Sequence, residues 1–438
     1  MVPHLVTALS GPINELEQRI IDSMPATERW FRLEWMEHMP AFYCAVDVRN
    51  AGFKLAPVET DLYPRGWNHL SEATLPLAVQ AAQAVIEKTC PEARNLLLIP
   101  ENRAQHNPSY LNNLAQLIRI FRMAGLNVRV GSISNEIKEP TRIPLQQGDA
   151  LSDSVLLEPV IRTERRIGLQ DFDPCTVLVN NDLSAGAPGI LEELYEQHVL
   201  PPVQAGWHVR RRRRQLACYE EVAKRFGKML GIDHWLITPL FGSCEAVDVQ
   251  SAQSMEQLRN HVEALLGRIR RKYKEYGIQE KPFVEIKADN SASGTQIMAV
   301  ESAADLDDLA NRNPAAYERL QAAANGPRAT DLLLQEGVQT SERMHDAAVE
   351  PVVYMMDRYV VGGAYRVPTE VATVDDRNNA QYVPLTFDQS SQLPEPGVKP
   401  GASGPNRFYM YGVLARLAML AASYELEAAD PEAEHAGR

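Results

Sequence analysis

A short strand that ends in a lysine and leads into a loop of small residues constrains this chain more than any other feature. The strand covers residues 282–289, and the loop covers residues 290–295. A lysine ammonium is a compact charge that suits phosphate oxygens, and small residues let backbone N–H groups approach a phosphate closely. The predicted phosphate-binding residues are Lys287, Ser291, Ser293 and Gly294. Ordinary surface turns with a solvated lysine show the same pattern, so the interpretation needs support elsewhere in the chain.

A second apolar strand, residues 331–338, ends at a carboxamide, a carboxylate and a glycine. The edge of such a strand can hold an adenine, with backbone groups on the base and Glu336 accepting from a ribose hydroxyl. The predicted adenosine-binding residues are Gln335, Glu336 and Val338. A strand that ends in an ordinary turn is the alternative.

A β-hairpin follows, with strands at residues 351–356 and 359–367 and a turn at Asp357 and Arg358. Its second strand carries Arg366. A guanidinium group can make two parallel hydrogen bonds to phosphate oxygens. Arg366 is therefore a candidate phosphate clamp.

Four further segments add specific motifs to this order of strand, loop and hairpin. They are DVRNAGFKLAPV at residues 47–58, VNNDLSAG at 179–186, GWHVRR at 206–211 and RFYMYGV at 407–413. Together these features resemble the bacterial glutamate–cysteine ligases of the ATP-grasp type, over nearly the whole chain. The resemblance implies an α/β fold of the ATP-grasp class, with two α+β lobes around ATP, an α/β amino-terminal substrate lobe and a relation to glutathione synthetase.

The family's chemistry implies a carboxylate–amine ligase that uses ATP and Mg²⁺. The γ-carboxylate of L-glutamate would take the γ-phosphoryl group of ATP, and the amine of a second small amino acid would then displace phosphate. Lys287 and Arg366 would act as catalytic residues by positioning and neutralising phosphate oxygens. A noncatalytic nucleotide-binding or regulatory relative of the family is the alternative.

Recognition of glutamate requires basic groups and oxygen acceptors in one pocket. The candidate substrate-binding residues are Arg49, Lys54, Asn180, Ser184 and Arg210. A surface ion pair is the alternative for Arg49 and Lys54. By similarity to the glutathione synthetase arrangement, the candidate Mg²⁺ ligands are Asp289, Asn181 and Asp182, with Glu350, Asp375 and Asn378 in reserve.

Two segments depart from the family pattern. The loop after Asp289 keeps a single glycine, Gly294, where the family has a glycine-richer loop. The second segment carries changes at Glu59, Asp61, Tyr63, Arg65, Trp67 and His69. Because the lysine and arginine motifs remain, we expect the acceptor amino acid to have changed rather than the ATP chemistry. The expected acceptor is cysteine or a small apolar amino acid such as propargylglycine, as in ligases of specialised metabolism.

At 438 residues the chain exceeds the size at which one core keeps growing, so two or three lobes are expected. We place a substrate-binding region at residues 1–215 and a nucleotide-binding region at residues 216–438. Apolar periodicity predicts helices at residues 75–88, 110–123, 255–273 and 411–426, and strands at 95–99 and 127–130. Residues 392–405 lack periodicity and are expected to form an exposed loop.

The net charge of −13 disfavours nonspecific binding to nucleic acid. The run of five arginines at residues 210–214 has no interleaved aromatic residues, so a site for a carboxylate or phosphate, or a solvated helix face, is favoured over nucleic acid. Five cysteines without metal-ligand spacing fit a reducing compartment, and no segment approaches the ~18 apolar residues that a membrane span needs. We expect a cytoplasmic protein with small-molecule partners and no membrane partner; association into a homo-oligomer stays open.

Overall fold

The structure is a computed structural model that describes residues 5–6, 12–145, 153–290, 296–323, 330–344, 347–367, 381–384 and 407–429. The helices in this part of the chain are α1 (Pro12–Asp22), α2 (Met24–Glu37), α3 (Leu75–Thr89), α4 (Pro108–Met123), α5 (Arg212–Leu230), α6 (Ala252–Tyr276), α7 (Leu309–Arg312), α8 (Pro314–Ala323) and α9 (Arg407–Glu427). Short 3₁₀ helices occur at Trp67–His69, Ala104–His106, Gly189–Leu191, Val203–Ala205, His234–Ile237 and Ala303–Leu306. None of the helices described is long and apolar enough to cross a bilayer.

The strands alternate with these helices along the chain. The first ten are β1 (Leu5–Val6), β2 (Tyr43–Asn50), β3 (Leu55–Asp61), β4 (Asn95–Ile99), β5 (Asn127–Ser132), β6 (Thr141–Pro144), β7 (Ser154–Pro159), β8 (Ile161–Arg162), β9 (Ile167–Gly168) and β10 (Thr176–Val179). The remainder of the described strands are β11 (His198–Leu200), β12 (Phe241–Val247), β13 (Val284–Ala288), β14 (Gln296–Val300), β15 (Thr330–Glu336), β16 (Arg343–Met344), β17 (Ala347–Ala348), β18 (Glu350–Met356), β19 (Tyr359–Val367) and β20 (Gln381–Pro384).

The amino-terminal part of the chain forms a six-stranded sheet in the order β11-β10-β4-β5-β7-β6. Its strands are parallel except for β6, which runs antiparallel to β7. α3 and α4 cover the sheet with apolar faces that include Ala82, Val85, Leu114 and Leu117. The helices and strands predicted here from periodicity are confirmed to within two residues at each end.

A four-stranded antiparallel sheet, β12-β15-β13-β14, forms the core of the region after residue 216. The apolar stripe of α6 packs on one of its faces, through side chains such as Leu258, Val262 and Ile269. This is the stripe that the three- and four-residue spacing predicts. Because α6 occupies one face, only the opposite face of the sheet is left for a ligand.

A five-stranded antiparallel sheet in the order β20-β19-β18-β2-β3 joins the two ends of the chain. The predicted hairpin is confirmed as β18 and β19. A cut after residue 215 does not separate the strands of this sheet, because β2 and β3 precede it and β18 to β20 follow it. The division into regions 1–215 and 216–438 stays a prediction.

Helix α9 lies at the centre of the molecule and is buried on nearly every side. It packs against α5 and against β2, β3 and β18. A helix that is apolar all round is stable only inside a core, which explains why α9 has no polar stripe. Because α5 packs along α9, the position of α9 determines where α5 begins, and the N-terminus of α5 lies at the candidate site.

Candidate functional site

The face of the four-stranded sheet opposite α6 brings two of the predicted nucleotide-binding residues together. Lys287 on β13 donates from Nζ to Gln335 Oε1 on β15 at 3.0 Å, and it also pairs with Glu285 at 2.8 Å. Gln335 is 1% exposed, yet its Nε2 has no hydrogen-bond partner among the described residues. A buried amide donor without an acceptor costs free energy, so this position suits an acceptor atom of a ligand.

Glu336 lies on the opposite face of the same sheet, because neighbouring side chains alternate along a strand. Its Oε2 accepts from Lys54 Nζ at 2.9 Å and from the indole N–H of Trp235 at 3.1 Å. Neither Glu336 nor Lys54 is exposed, and burial lowers the pKa of Lys54 to about 8. The pair ties β3 to β15 inside the protein. Two contacts stay predictions: that of Lys54 with glutamate and that of Glu336 with a ribose. Each would require the Lys54–Glu336 ion pair to open.

A glycine is required directly after Glu336. A Cβ at Gly337 would lie 2.0 Å from the ring of Phe283, and the Gly337 N–H already donates to the Phe283 carbonyl at 2.9 Å. Val338 is buried. The turn is therefore packed tightly against β13, and Gln335 offers the free polar group at this strand end.

Asp289 connects the lysine strand to the first turn of α5. Its Oδ1 accepts from the Arg213 N–H at 2.8 Å, and its Oδ2 lies 3.2 Å from Arg213 Nε. Burial raises the pKa of Asp289, against the opposing effect of Arg213. This carboxylate, predicted as a metal ligand, thus holds the N-terminus of a helix in this structure; its metal role stays a prediction.

Two members of the arginine run are buried ion pairs. Arg210 donates to both oxygens of Glu425 at 3.0 and 2.8 Å, and Arg212 bonds Glu59. Both guanidinium groups lie 4.7 Å from the ring centroid of Trp207. The solvated helix face weighed for this run is therefore wrong for Arg210 and Arg212, because each is at most 3% exposed. Contact of Arg210 with a substrate carboxylate stays a prediction.

One face of the five-stranded sheet carries the predicted clamp, Arg366. Its guanidinium bonds Glu350 Oε2 at 2.7 Å and Asp47 Oδ2 at 2.6 Å. Arg49 pairs with the other Glu350 oxygen at 2.9 Å. The Nη1 atom of Arg49 is buried and has no hydrogen-bond partner among the described residues. Arg49 and Arg366 therefore share a cluster, and Arg49 offers a donor to a ligand.

Beside that cluster, β3 contributes Glu59 and Asp61 to the same sheet face, since Asp47 lies directly across from Glu59. Glu59 is 7% exposed, and its Oε1 has no hydrogen-bond partner in the described part of the chain. The pKa of Asp61 is raised to about 6, mainly by burial and to a smaller extent by repulsion from Asp182 and Glu59, against the opposing effects of the Tyr63 N–H and Arg65. The sheet thus presents a cluster of acidic oxygens, of which Glu59 Oε1 has no hydrogen-bond partner in the described part of the chain although Arg212 bonds the other oxygen.

Glu101, which follows β4, belongs to the same acidic group. Its pKa is raised to about 7 by burial and by Asp182 and Asp61, although Arg65 is bonded to it. Sequence reasoning missed Glu59, Asp61, Arg65 and Glu101 as site residues. The signal was present: three of the four fall in the segment at residues 59–69 that departs from the family pattern.

The loop after β10 carries the remaining described candidates. Asn180 is buried, where its side chain bonds Tyr43 and Tyr110 at 3.0 and 2.9 Å. Asn181 and Asp182 accept from backbone N–H groups of their own loop, at 3.1 and 3.0 Å. Ser184 is exposed. Asn180 therefore anchors the loop, while Asp182 approaches the Asp61 and Glu101 group.

Several predicted positions lie outside the described residues. These are Ser291, Ser293 and Gly294 of the phosphate loop, the reserve metal ligands Asp375 and Asn378, and the loop expected at residues 392–405.

A family model described as glutamate-cysteine ligase matches residues 17–426. This range includes the Lys287 and Gln335 pair and the sheet face around Arg366.

The chain belongs to the glutamate–cysteine ligase family.

A solved relative supports the same assignment for this glutamate–cysteine ligase family member. It is a protein of Methylobacillus flagellatus KT, provisionally named gamma-glutamylcysteine synthetase, whose crystal structure was determined at 1.90 Å. Identity is 47%, the match covers 98% of this chain and 100% of the relative, and the TM-score is 0.87. The predicted α/β fold of the ATP-grasp class is confirmed by this match. Family membership supports γ-glutamyl ligase activity in general terms.

Other comparisons add little to that assignment. D-alanyl-alanine synthetase A of Vibrio cholerae O1 biovar eltor is 12% identical over 74% of this chain and 81% of its own, with a TM-score of 0.35, too low to carry an argument. Among curated proteins no significant match is found.

The family uses ATP and typically a divalent metal, which requires oxygen donors at the site. Glu59 offers a buried oxygen without a partner among the described residues, and burial, with a smaller contribution from neighbouring carboxylates, raises the pKa values of Asp61 and Glu101. Such oxygens suit Mg²⁺. Within the described ranges no group of three or more His, Cys, Asp or Glu side chains is close enough to hold a metal. The residues therefore fit an Mg²⁺ that takes its other ligands from phosphates and water.

A cavity of about 470 Å³ lies elsewhere, between α2, α3, α9 and the turn of the β18–β19 hairpin. Its lining includes Glu28, Ala81, Tyr359, Gly412 and Arg416. It contains none of the predicted site residues. The polar groups of the candidate site lie on two sheet faces, and none of them lines this cavity. We call these groups the cleft: Lys287 and Gln335 on the four-stranded sheet, and Arg49, Arg366, Glu59 and Asp61 on the five-stranded sheet.

Proposed function

We propose that the protein joins the γ-carboxylate of L-glutamate to the amine of a small amino acid, with ATP as the source of energy. A carboxylate oxygen of glutamate attacks the γ-phosphorus of ATP, and ADP leaves. The amine nitrogen then attacks the acyl carbon of γ-glutamyl phosphate, loses a proton, and phosphate leaves with the former carboxylate oxygen. The product is a γ-glutamyl dipeptide.

One observation carries this proposal: buried polar atoms of the cleft lack partners among the described residues, and each could bind a group that takes part in this reaction. Gln335 Nε2 and Arg49 Nη1 are donors, and Glu59 Oε1 is an acceptor. Donors suit phosphate and carboxylate oxygens, and a bare carboxylate oxygen suits a cation. Buried groups of this kind are retained at a cost of about 1–3 kcal/mol each unless a ligand satisfies them.

We assign the nucleotide to the face of the four-stranded sheet opposite α6. Lys287 would exchange its bond to Glu285 for a phosphate oxygen, while Gln335 keeps it oriented and donates its free N–H to the nucleotide. Arg366 is held by two carboxylates and would turn its charge toward the transferring phosphoryl group. Bound Mg²⁺ would neutralise phosphate oxygens next to Glu59 and Asp61.

Glutamate is proposed to lie between Arg49 and the Asn181–Ser184 loop, which puts its γ-carboxylate near the phosphates. The acceptor would then contact the segment at residues 59–69, where Arg65 and Asp61 differ from the family pattern. A pocket that fits a thiol rejects a small apolar side chain of equal length by only ~1–3 kcal/mol. We propose cysteine or a small apolar amino acid such as propargylglycine as acceptor.

The test is ADP release and dipeptide mass with ATP, Mg²⁺, L-glutamate and a panel of amino acids that includes cysteine and propargylglycine. We expect a γ-glutamyl dipeptide and one ADP per product. Nucleotide binding without ADP release for any amino acid would favour the noncatalytic alternative. Turnover without glutamate would exclude the γ-glutamyl ligase, and a hundredfold higher kcat/KM for cysteine would exclude the changed acceptor.

A further inference from the structure

Two cysteines that are distant in sequence are in contact at one edge of the six-stranded sheet. Cys90 directly follows α3, and Cys175 directly precedes β10. Their sulfur atoms are 3.2 Å apart, although the residues are separated by 85 positions. Both are free thiols.

The fold itself creates this contact. α3 ends at the edge of the sheet where β4 and β10 begin, and these two strands are parallel neighbours, with Thr176 paired to Leu96. The Cys90 N–H donates to Ile86 as the last bond of the helix, and the Cys175 carbonyl accepts from His198 at 2.9 Å. Both backbones are therefore held by regular structure. Formation of an S–S bond of ~2.05 Å needs an approach of only about 1 Å.

The two thiols differ in access. Cys175 is partly exposed, whereas Cys90 is buried, and burial raises the pKa of the Cys90 thiol. A reagent from solution therefore reaches Cys175 first. Cys90 then acts as the second thiol, because its sulfur is already next to Cys175. Cys44 and Cys244 are buried, and no other pair of sulfurs in contact is found among the described residues.

We propose that Cys90 and Cys175 form a redox-sensitive dithiol site that a low-molecular-weight disulfide oxidises to an intramolecular disulfide. The Cys175 thiolate attacks one sulfur of the small disulfide, forms a mixed disulfide and releases one small thiol. The Cys90 thiolate then attacks Cys175 Sγ and releases the second small thiol. Two protein thiols lose two protons and two electrons, and the small disulfide is reduced to two thiols.

The expected consequence is a change in stability. The disulfide would close a loop of 85 residues and would join α3 to β10. Cross-links that close long loops restrict the unfolded chain most. We expect oxidation to raise the melting temperature by a few degrees. The pair lies at the edge of the sheet where β4 and β10 begin, opposite to the edge that carries Glu101 and Asp182, so it is separate from the ligase site.

The test is exposure of the fully reduced protein to glutathione disulfide, followed by alkylation of free thiols and peptide mass analysis. In the wild type we expect loss of two thiols and a peptide that joins Cys90 to Cys175. Cys90→Ser should instead trap the small thiol on Cys175, and Cys175→Ser should form neither product at this site. Cys218→Ser is the matched control, since Cys218 is also partly exposed but lies on α5, and it should behave like the wild type.

Three outcomes would overturn the proposal. The first is a wild-type protein that keeps all its thiols under these conditions, and the second is a disulfide that joins other cysteines. The third is a Cys90→Ser protein that gives no mixed disulfide at Cys175. A melting temperature that rises on oxidation in the wild type but in neither serine variant at this pair would confirm the stabilising effect, and an equal rise in the variants would contradict it.

Discussion

The buried ion pairs behind the sheets and the polar groups of the cleft differ in how completely they are satisfied. Arg210 bonds both oxygens of Glu425, and Glu336 accepts from Lys54, Trp235 and a backbone N–H. In the cleft, Arg49, Glu59 and Gln335 each keep one polar atom without a partner among the described residues.

This difference separates scaffold from site. Charged groups leave water at a cost of several kcal/mol, and in the Arg210–Glu425 and Lys54–Glu336 pairs hydrogen bonds offset that cost. Groups that stay incomplete at a similar depth store unfavourable free energy that a ligand can relieve. The raised pKa values of Asp61 and Glu101 are another form of the same imbalance. We expect substitutions in the buried ion pairs to change the free energy of unfolding. Substitutions among the polar groups of the cleft should change ligand binding and turnover.

The largest effect is expected from Arg210→Met, which removes one partner of a buried pair. Glu425 would keep its charge without a counter-charge, and breaking such a pair costs about 3–5 kcal/mol of unfolding free energy. Chemical denaturation measures this loss. Arg214→Met is the matched control from the same arginine run, because Arg214 is exposed and should change stability by less than about 0.5 kcal/mol. Equal losses of unfolding free energy in Arg210→Met and Arg214→Met would show that the buried pair contributes no more than an exposed arginine.

Lys287→Met should leave the fold intact and reduce ADP formation about a hundredfold in kcat/KM, since a charge-assisted contact is worth about 1.5–3 kcal/mol. Steady-state kinetics and a melting curve on the same sample check both parts. Lys274→Met, an exposed position on α6, serves as the control. If the variant forms ADP at the wild-type rate, or if its lost activity is explained by unfolding, Lys287 does not belong to the nucleotide site.

Asp61→Asn should change how stability depends on pH. Because the pKa of Asp61 is raised from 3.8 to about 6, the folded protein holds a proton between pH 4 and 6 that the unfolded chain has released. The contribution of this group to stability is therefore present below pH 4 and is lost as pH rises through 6.

The Asp61→Asn variant has no carboxyl group at this position, so it does not lose this stability as the pH rises. Its stability relative to the wild type should increase by roughly 1–2 kcal/mol between pH 4.5 and 7.5, after allowance for partial exposure. Denaturation of both proteins at the two pH values gives the difference. If the two proteins differ in unfolding free energy by the same amount at pH 4.5 and at pH 7.5, the pKa of Asp61 is not raised by folding.

The smallest effect is expected from Gln335→Leu, which removes the amide and keeps the volume similar. The unpartnered Nε2 donor is lost together with one acceptor of Lys287, which keeps its ion pair with Glu285. Loss of one hydrogen bond to the nucleotide costs about 0.5–1.5 kcal/mol, so KM for ATP should rise about two- to twelvefold with the melting temperature retained. An unchanged KM would show that the unpartnered amide does not face the nucleotide.

The sequence was sufficient for the fold class and for the elements predicted from periodicity. The stripe from Met255 to Tyr273 and the hairpin around Asp357 depend on local spacing, and both are confirmed. The motif at residues 47–58 is similarly local. Its pairing with β18 across the chain, which brings Asp47 to Arg366, is a contact between distant strands that spacing along the chain does not reveal.

Burial was the quantity that the sequence could not supply. Lys54, Asn180 and Arg210 are polar residues in specific motifs, which favoured a ligand-binding role for each, yet the fold encloses all three. Their partners, such as Glu336 and Glu425, lie more than two hundred residues away. Conversely, Asp61 and Glu101 gain their unusual proton affinity from neighbours that only the folded sheets bring close.

The stabilisation that MgATP adds to the unfolding free energy tests the central claim most directly. At a ligand concentration of a hundred times Kd, the wild type should gain about 2.7 kcal/mol. Arg210→Met should gain the same amount from a lower starting stability. Lys287→Met should gain only about half as much from an unchanged starting stability. A full gain in Lys287→Met, or its loss in Arg210→Met, would contradict the assignment of Arg210 to the scaffold and of Lys287 to the nucleotide site.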